Sequence, residues 1–163
     1  MRFASFDVFR TLGFPDTRHF KPDHLFRHQS ELSAAEWILF PEYWQINALI
    51  YGMGCRVFPS QASYLLGHNK IEMTRAFQTV APAHVPLTHI RANTPDNAEE
   101  LWQEMTHPFV AKLAKSSMGE GVWLIEERDQ WREYLGRTDT LYVQEWLPID
   151  RDVRVVVVGD QVL

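Results

Sequence analysis

At 163 residues, with 45% hydrophobic and 23% charged side chains, the chain has the make-up of an ordinary globular protein and not of a disordered polymer. A net charge of −5 argues against a nucleic-acid partner, which calls for a basic surface. No apolar run reaches the roughly 18 residues of a membrane span, and the opening residues lack the basic-then-apolar pattern of a secretory signal. The single cysteine, Cys55, leaves no internal disulfide to form, and the expected location is cytoplasmic.

In chain order, residues 3–9 have strand composition, and residues 10–21 read as a loop punctuated by Gly13, Pro15 and Asp16. Residues 22–33 suit a short helix with Leu25, Phe26 and Leu32 inward. His24 and His28 stand one helical turn apart there, but with His19 they lack the carboxylate or cysteine pattern that would complete a metal site. A strand at 37–40, a helix at 44–53 and a strand at 55–58 predict a parallel crossover. Ser60 caps a helix whose Leu66, Met73, Phe77 and Val80 share a face before Pro82 and Pro86 end it. A short strand at 87–90 follows. Thr94-Pro95 then starts the clearest amphipathic helix, with Ala98, Leu101, Trp102 and Met105 along one side. The remainder alternates: strands at 109–114, 122–125, 141–147 and 153–158, a helix around Trp131, Tyr134 and Leu135 closed by Gly136, and a last strand opening at Gln161. Trp37, Trp44, Trp102, Trp123 and Trp131 fall on apolar faces and are expected in the core.

The chemistry gathers in three places. Lysine is scarce: Lys21, Lys70, Lys112 and Lys115 are the full set, against twelve arginines. Lys112 sits in an otherwise apolar strand, where the simpler reading is an edge strand with a snorkelling side chain. Directly after it comes Lys115-Ser-Ser-Met-Gly-Glu-Gly121, small and conformationally permissive residues whose backbone N–H groups suit a phosphate. This loop leads into a strand, so it is a hairpin flap and neither a P-loop nor a dinucleotide fingerprint. Third, Val143-Gln-Glu-Trp-Leu-Pro148 is a strand running into a proline-stopped linker, with Asp150 and Asp152 beyond. Such a linker suits a flat base, and the acids suit ribose hydroxyls.

Taken in order, Asn69-Lys70, the segment HPFVAKLAKSSMGEGV from His107 and the segment YVQEWLPIDRDVRVVVVGDQVL from Tyr142 resemble the ATP-grasp superfamily. The nearest branch is that of ribosomal-protein glutamate ligases, ligases of the lysine-biosynthesis amino-group carriers and bacterial glutathione synthetases. The resemblance implies an α/β (α+β grasp) fold, with a pre-grasp αβ unit over 1–59 and the N-terminal part of a grasp domain over 60–163. It implies ATP as cofactor and a carboxylate and an amine as substrates, joined through an acylphosphate. It assigns Lys70 and Lys112 to the nucleotide phosphates. Ser116, Ser117, Gly119 and Gly121 fall to the flap, Gln144, Glu145, Trp146 and Leu147 to the adenine, and Asp152 to the ribose. Arg154 falls to the mouth of the active site as the catalytic candidate. Family magnesium ligands lie beyond the strand that starts at Gln161. The expectation is therefore a chain cut before its Mg2+ ligands, inactive alone and prone to self-association through exposed valines. The competing expectation is a non-catalytic ATP-grasp-like module that binds nucleotide or a partner.

Overall fold

The computed structural model describes every residue of the chain except 117–119, 152, 159, 160 and 163. It divides into two compact units, Met1–Ala76 and Phe77–Leu163.

The first unit is built on a parallel sheet of β1 (Phe3–Ser5), β2 (Thr17–His19), β3 (Trp37–Leu39) and β4 (Val57–Phe58), in the order β2-β1-β3-β4. The expected β3–β4 crossover is present. β2 is an addition within the expected loop. It is an edge strand of Thr, Arg and His, so no apolar alternation marks it. Between β2 and β3 the chain forms a 3-10 turn, Pro22–His28, and then α1 (Gln29–Ser33). Leu25 and Leu32 are buried as expected, but Phe26 is exposed. The tighter three-residue turn seats Leu25 alone.

The expected 44–53 helix is likewise two short pieces, a 3-10 turn at Tyr43–Gln45 and a π-turn at Ala48–Gly52. Here Trp44, expected in the core, is 57% exposed, and Gln45 beside it is fully buried. Gln45 turns inward because its side chain closes two main-chain bonds. Its Oε1 accepts from Glu42 N at 2.7 Å and its Nε2 donates to the Pro22 carbonyl at 3.0 Å.

Ser60 caps α2 (Gln61–His68) as expected, its Oγ accepting from Ser63 N. The helix does not run on. Asn69 takes an extended conformation, and its Oδ1 accepts from Ile71 N at 2.9 Å, starting α3 (Lys70–Val80) as a separate helix. The single apolar face expected over 60–80 is therefore broken, and Leu66, Phe77 and Val80 are exposed.

The second unit is an antiparallel sheet with two helices on one face. Its strands are β5 (Thr88–Ala92), β6 (Phe109–Lys112), β7 (Val122–Ile125) and β8 (Thr140–Glu145), in the order β5-β8-β6-β7. The helices are α4 (Pro95–Glu104) and α5 (Arg128–Leu135). Alternation along the strands sends Phe109, Ala111, Ile125, Leu141 and Val143 to the helix side, where they meet Ala98, Leu101, Trp131 and Tyr134. Thr94 caps α4 by accepting from Asn97 N. Arg128 clamps the two helices, donating to both carboxylate oxygens of Glu99 at 2.6 and 2.8 Å while its guanidinium lies over the Trp102 ring. That bond holds the Glu99 carboxyl down to about 2.

Beyond β8, among the described residues, Val157–Val158 (β9) pairs with Gln161–Val162 (β10). The strand expected over 153–158 is thus reduced to its last two residues. Val153, Val155 and Val156 are exposed and outside regular structure, and the ladder among the described residues joins Gln161 to Val158 and Val162 to Val157.

One group on α5 governs the sheet. The Tyr134 side chain is fully buried, and its hydroxyl accepts from Tyr142 N at 2.8 Å. The same oxygen lies 3.2 Å from the Lys112 carbonyl and 3.4 Å from that of Tyr142, and its proton serves one of them. The phenol therefore stands between β6 and β8 just past their last paired residues, Ala111 and Val143. Burial pushes the Tyr134 hydroxyl up to about 12, against the Tyr142 N–H, which favours the phenolate.

Replacing Tyr134 by Phe leaves the Tyr142 N–H without that acceptor and should cost about 1–3 kcal/mol in denaturant unfolding. The raised value also fixes a pH window. An unfolded phenol ionises near pH 10, whereas the folded one stays protonated to about 12. This contribution is full below pH 10 and is lost as pH rises, at about 1.4 kcal/mol per pH unit up to the folded value. The difference in stability between the wild type and Tyr134→Phe should shrink across that window in parallel urea titrations.

Candidate functional site

The sheet face opposite α4 and α5 carries the second unit's chemistry. The register pairs Val110 with Leu124, Lys112 with Val122, and Gln144 with both Val110 and Thr88. These six side chains therefore share one face. Val122 and Leu124 are exposed on it, which gives an apolar shelf around a single strand lysine.

The edge-strand reading of Lys112 does not hold. β6 lies between β8 and β7, so the lysine is on an interior strand. Its Nζ donates to Gln144 Oε1 at 2.7 Å, and Gln144 Nε2 donates to Thr88 Oγ1 at 2.8 Å. Gln144, assigned by resemblance to the adenine, thus places its amide against the lysine. Glu145 is engaged at the neighbouring edge. Its N–H donates to the Leu87 carbonyl at 2.9 Å, and its Oε1 accepts from Leu87 N at 2.6 Å. Trp146 and Leu147 follow as exposed residues, and Ile149 N donates back to the Leu147 carbonyl at 2.8 Å.

The flap leaves the sheet through a narrow neck. Leu113 N donates to the Gly121 carbonyl at 2.8 Å, continuing the hairpin one rung past Lys112 and Val122. Gly121 has φ +66°, and a Cβ there would meet Leu113 Cδ1 at 2.9 Å and Ser116 Cβ at 3.0 Å. Ser116 is half-buried, and its Oγ donates to the Leu113 carbonyl at 3.4 Å. Ser117, Gly119 and Asp152 lie outside the described residues.

Two candidates are not on the strands of this sheet. Lys70 is the first residue of α3 and belongs to the first unit; burial lowers the pKa of its ammonium. Arg154 is exposed, in the irregular stretch before β9. The structure thus joins Lys112 to Gln144, sets Glu145 and Trp146 next in line, and puts Gly121 at the base of the flap. Thr88 and Tyr134 were not singled out by the sequence as parts of this site. A threonine at a strand start carries no signal, and Tyr134 read as one more apolar helix position. In the first unit, His28 Nδ1 lies 2.8 Å from Glu31 Oε1 and His19 Nε2 lies 2.9 Å from Thr11 Oγ1. Among the described residues no group of three or more His, Cys, Asp or Glu is placed to hold a metal ion. No helix among them is long and apolar enough to cross a membrane.

Residues 68–163 match the model of the RimK-like ATP-grasp domain. No curated protein matches the sequence significantly. Solved structures do match the fold. A RimK domain ATP-grasp protein from Sphaerobacter thermophilus has a TM-score of 0.60 at 18% identity, over 92% of this chain and 65% of its own. D-alanine–D-alanine ligase from Bacillus anthracis has a TM-score of 0.61 at 10% identity, over 90% of this chain and 58% of its own. N5-carboxyaminoimidazole synthase from Aspergillus clavatus, in complex with ADP and 5-aminoimidazole ribonucleotide, has a TM-score of 0.57 at 12% identity, over 88% of this chain and 39% of its own. The chain therefore spans less than two thirds of each.

The neck of the flap admits a direct test. Gly121→Ala must adopt a left-handed backbone and displace the Leu113 side chain. It should lower unfolding stability by about 1–2 kcal/mol from the backbone alone. Denaturant titration of the variant checks this.

Proposed function

The chain belongs to the RimK-like ATP-grasp domain family, and on that premise we propose that it is the nucleotide-binding part of an ATP-dependent carboxylate–amine ligase. The observation that carries the reading is Lys112, a lysine on an interior strand with its ammonium on the sheet face away from the helices. A charge placed there costs desolvation and constrains a long side chain, and a phosphate ligand is the compensation that makes the position useful.

In this reading Lys112 binds the nucleotide phosphates and Lys70 is the second cation. The residues from Ser116 to Gly121 cover the phosphates and keep water from the reacting group. The shelf of Val110, Val122 and Leu124 offers apolar surface, and the backbone leaving β8 at Glu145, Trp146 and Leu147 faces the base. Asp152 remains the candidate for the ribose and Arg154 for the mouth of the site. In the reaction, a substrate carboxylate oxygen attacks the terminal phosphorus of ATP and the bond to ADP breaks. The amine nitrogen of the second substrate then attacks the acyl carbon. The carbon–oxygen bond breaks, inorganic phosphate leaves, and the nitrogen loses its proton. Positioning and cationic stabilisation of the phosphoryl group are this chain's part in that sequence. The described residues offer no cluster that fits magnesium, so no step is assigned to the metal.

The test is calorimetric titration with ATP. The wild type should bind saturably, and Lys112→Ala should weaken binding about 10- to 100-fold, the worth of one hydrogen bond from a charged group. An equal affinity for both proteins overturns the reading, as does a wild type that takes up no ATP.

A further inference from the structure

The bond between Lys112 and Gln144 is one link of a longer chain that crosses three strands. Thr88 Oγ1 donates to the Pro86 carbonyl at 2.7 Å. The same oxygen accepts from Gln144 Nε2 at 2.8 Å, and Gln144 Oε1 accepts from Lys112 Nζ at 2.7 Å. Thr88 is buried, and the register sets it directly opposite Gln144.

Amide oxygen and nitrogen are ordinarily hard to tell apart by position. Here the two ends decide. A carbonyl can only accept and an ammonium can only donate. The Thr88 hydroxyl must spend its proton on Pro86, which leaves it a lone pair for the amide N–H. The amide oxygen is then turned toward Lys112. A flipped amide would set N–H against ammonium, and carbonyl against a hydroxyl with no proton to give. Every bond in the chain agrees with one direction only.

We propose that Thr88 and Gln144 are positioning residues that hold the Lys112 ammonium over the open sheet face for an anionic phosphoryl group, with Thr88 fixing which end of the Gln144 amide the lysine meets. This rests on the reading of Lys112 as the phosphate contact. The neutral amide anchors the lysine without cancelling its charge. A carboxylate in the same place would hold the lysine as firmly and would repel the ligand.

Four variants and two readouts test the relay. Thr88→Val keeps the shape and removes the hydroxyl, Thr88→Ser restores it, Gln144→Glu supplies the carboxylate, and Lys112→Ala removes the cation. In ATP titrations, Thr88→Val should weaken binding about three- to tenfold, on the scale of one neutral hydrogen bond. Thr88→Ser should stay within about twofold of the wild type, and Gln144→Glu should bind more weakly than Thr88→Val. In the Lys112→Ala background, Thr88→Val should add nothing, since the two act as one unit.

The second readout needs no nucleotide: the pH profile of Lys112 acylation, read by peptide mass spectrometry. Without the hydroxyl the Gln144 amide is no longer held with its oxygen toward the ammonium, which destabilises the charged form, so Thr88→Val should move the Lys112 profile to lower pH while that of Lys21 stays in place. Thr88→Ser should return the profile to the wild-type position. An unmoved profile together with unchanged ATP affinity in Thr88→Val overturns the relay even if Lys112→Ala abolishes binding. A moved profile in a protein that takes up no ATP supports the relay and leaves only the nucleotide reading overturned. Full additivity of Thr88→Val with Lys112→Ala in ATP affinity also overturns it.

Discussion

The second unit depends on a phenol inserted where two strands stop pairing. β6 and β8 run together through Ala111 and Val143 and then meet the Tyr134 hydroxyl. Water cannot serve the backbone groups in so buried a place, so a side chain must. The tyrosine reaches them from the helix side, stacked on Trp131 and tilted against Trp123. One residue thereby couples the packing of α5 to the strand position from which Lys112 departs. The core of this unit and the face that carries Lys112 share the same backbone.

That sharing explains the division of labour across the sheet. On one face, period-two alternation collects Phe109, Ala111, Leu141 and Val143 into an apolar core closed by two helices. On the other, the same strands offer Lys112, Gln144 and Thr88 among valines and a leucine. Each strand residue answers to packing or to chemistry, and rarely to both. Gln144 supplies a cross-strand bond that a hydrophobic pair would supply elsewhere, at the added cost of needing a partner for each end of its amide. The ion pair of Arg128 with Glu99 joins exposed side chains of α5 and α4, and Arg91 ties β5 to α4 through Glu100 and Glu104.

Much of this was legible in the sequence where a local rule had no competitor. Thr94-Pro95 announced α4, the alternation around Lys112 placed the right side chains inside, and the order of lysine, flap and linker carried the family. The failures share a physical cause. Trp44 read as core because periodicity sees hydrophobicity, but Gln45 had main-chain bonds to satisfy and took the inward place. The 60–80 segment read as one helix because no proline interrupts it, yet Asn69 is extended and offers its side chain to Ile71 N, which starts a second helix. β2 and the role of Thr88 depend on neighbours distant in sequence. In both cases the signal lies in a pairing and not in the residue itself. The edge-strand reading of Lys112 failed for the same reason, since strand order is a property of the whole sheet.

Glu145 shows such a pairing made twice over by one residue. Its carboxylate and its N–H both engage Leu87, so the end of β8 is locked to the residue before β5 by a main-chain bond and a side-chain bond together. A carboxylate has about four acceptor sites on its two oxygens, so Oε1 keeps the Leu87 N–H at 2.6 Å whatever else the group meets. Tied at that oxygen, the side chain has already given up much of its rotamer freedom on folding, and a later contact at this strand end has less entropy left to overcome.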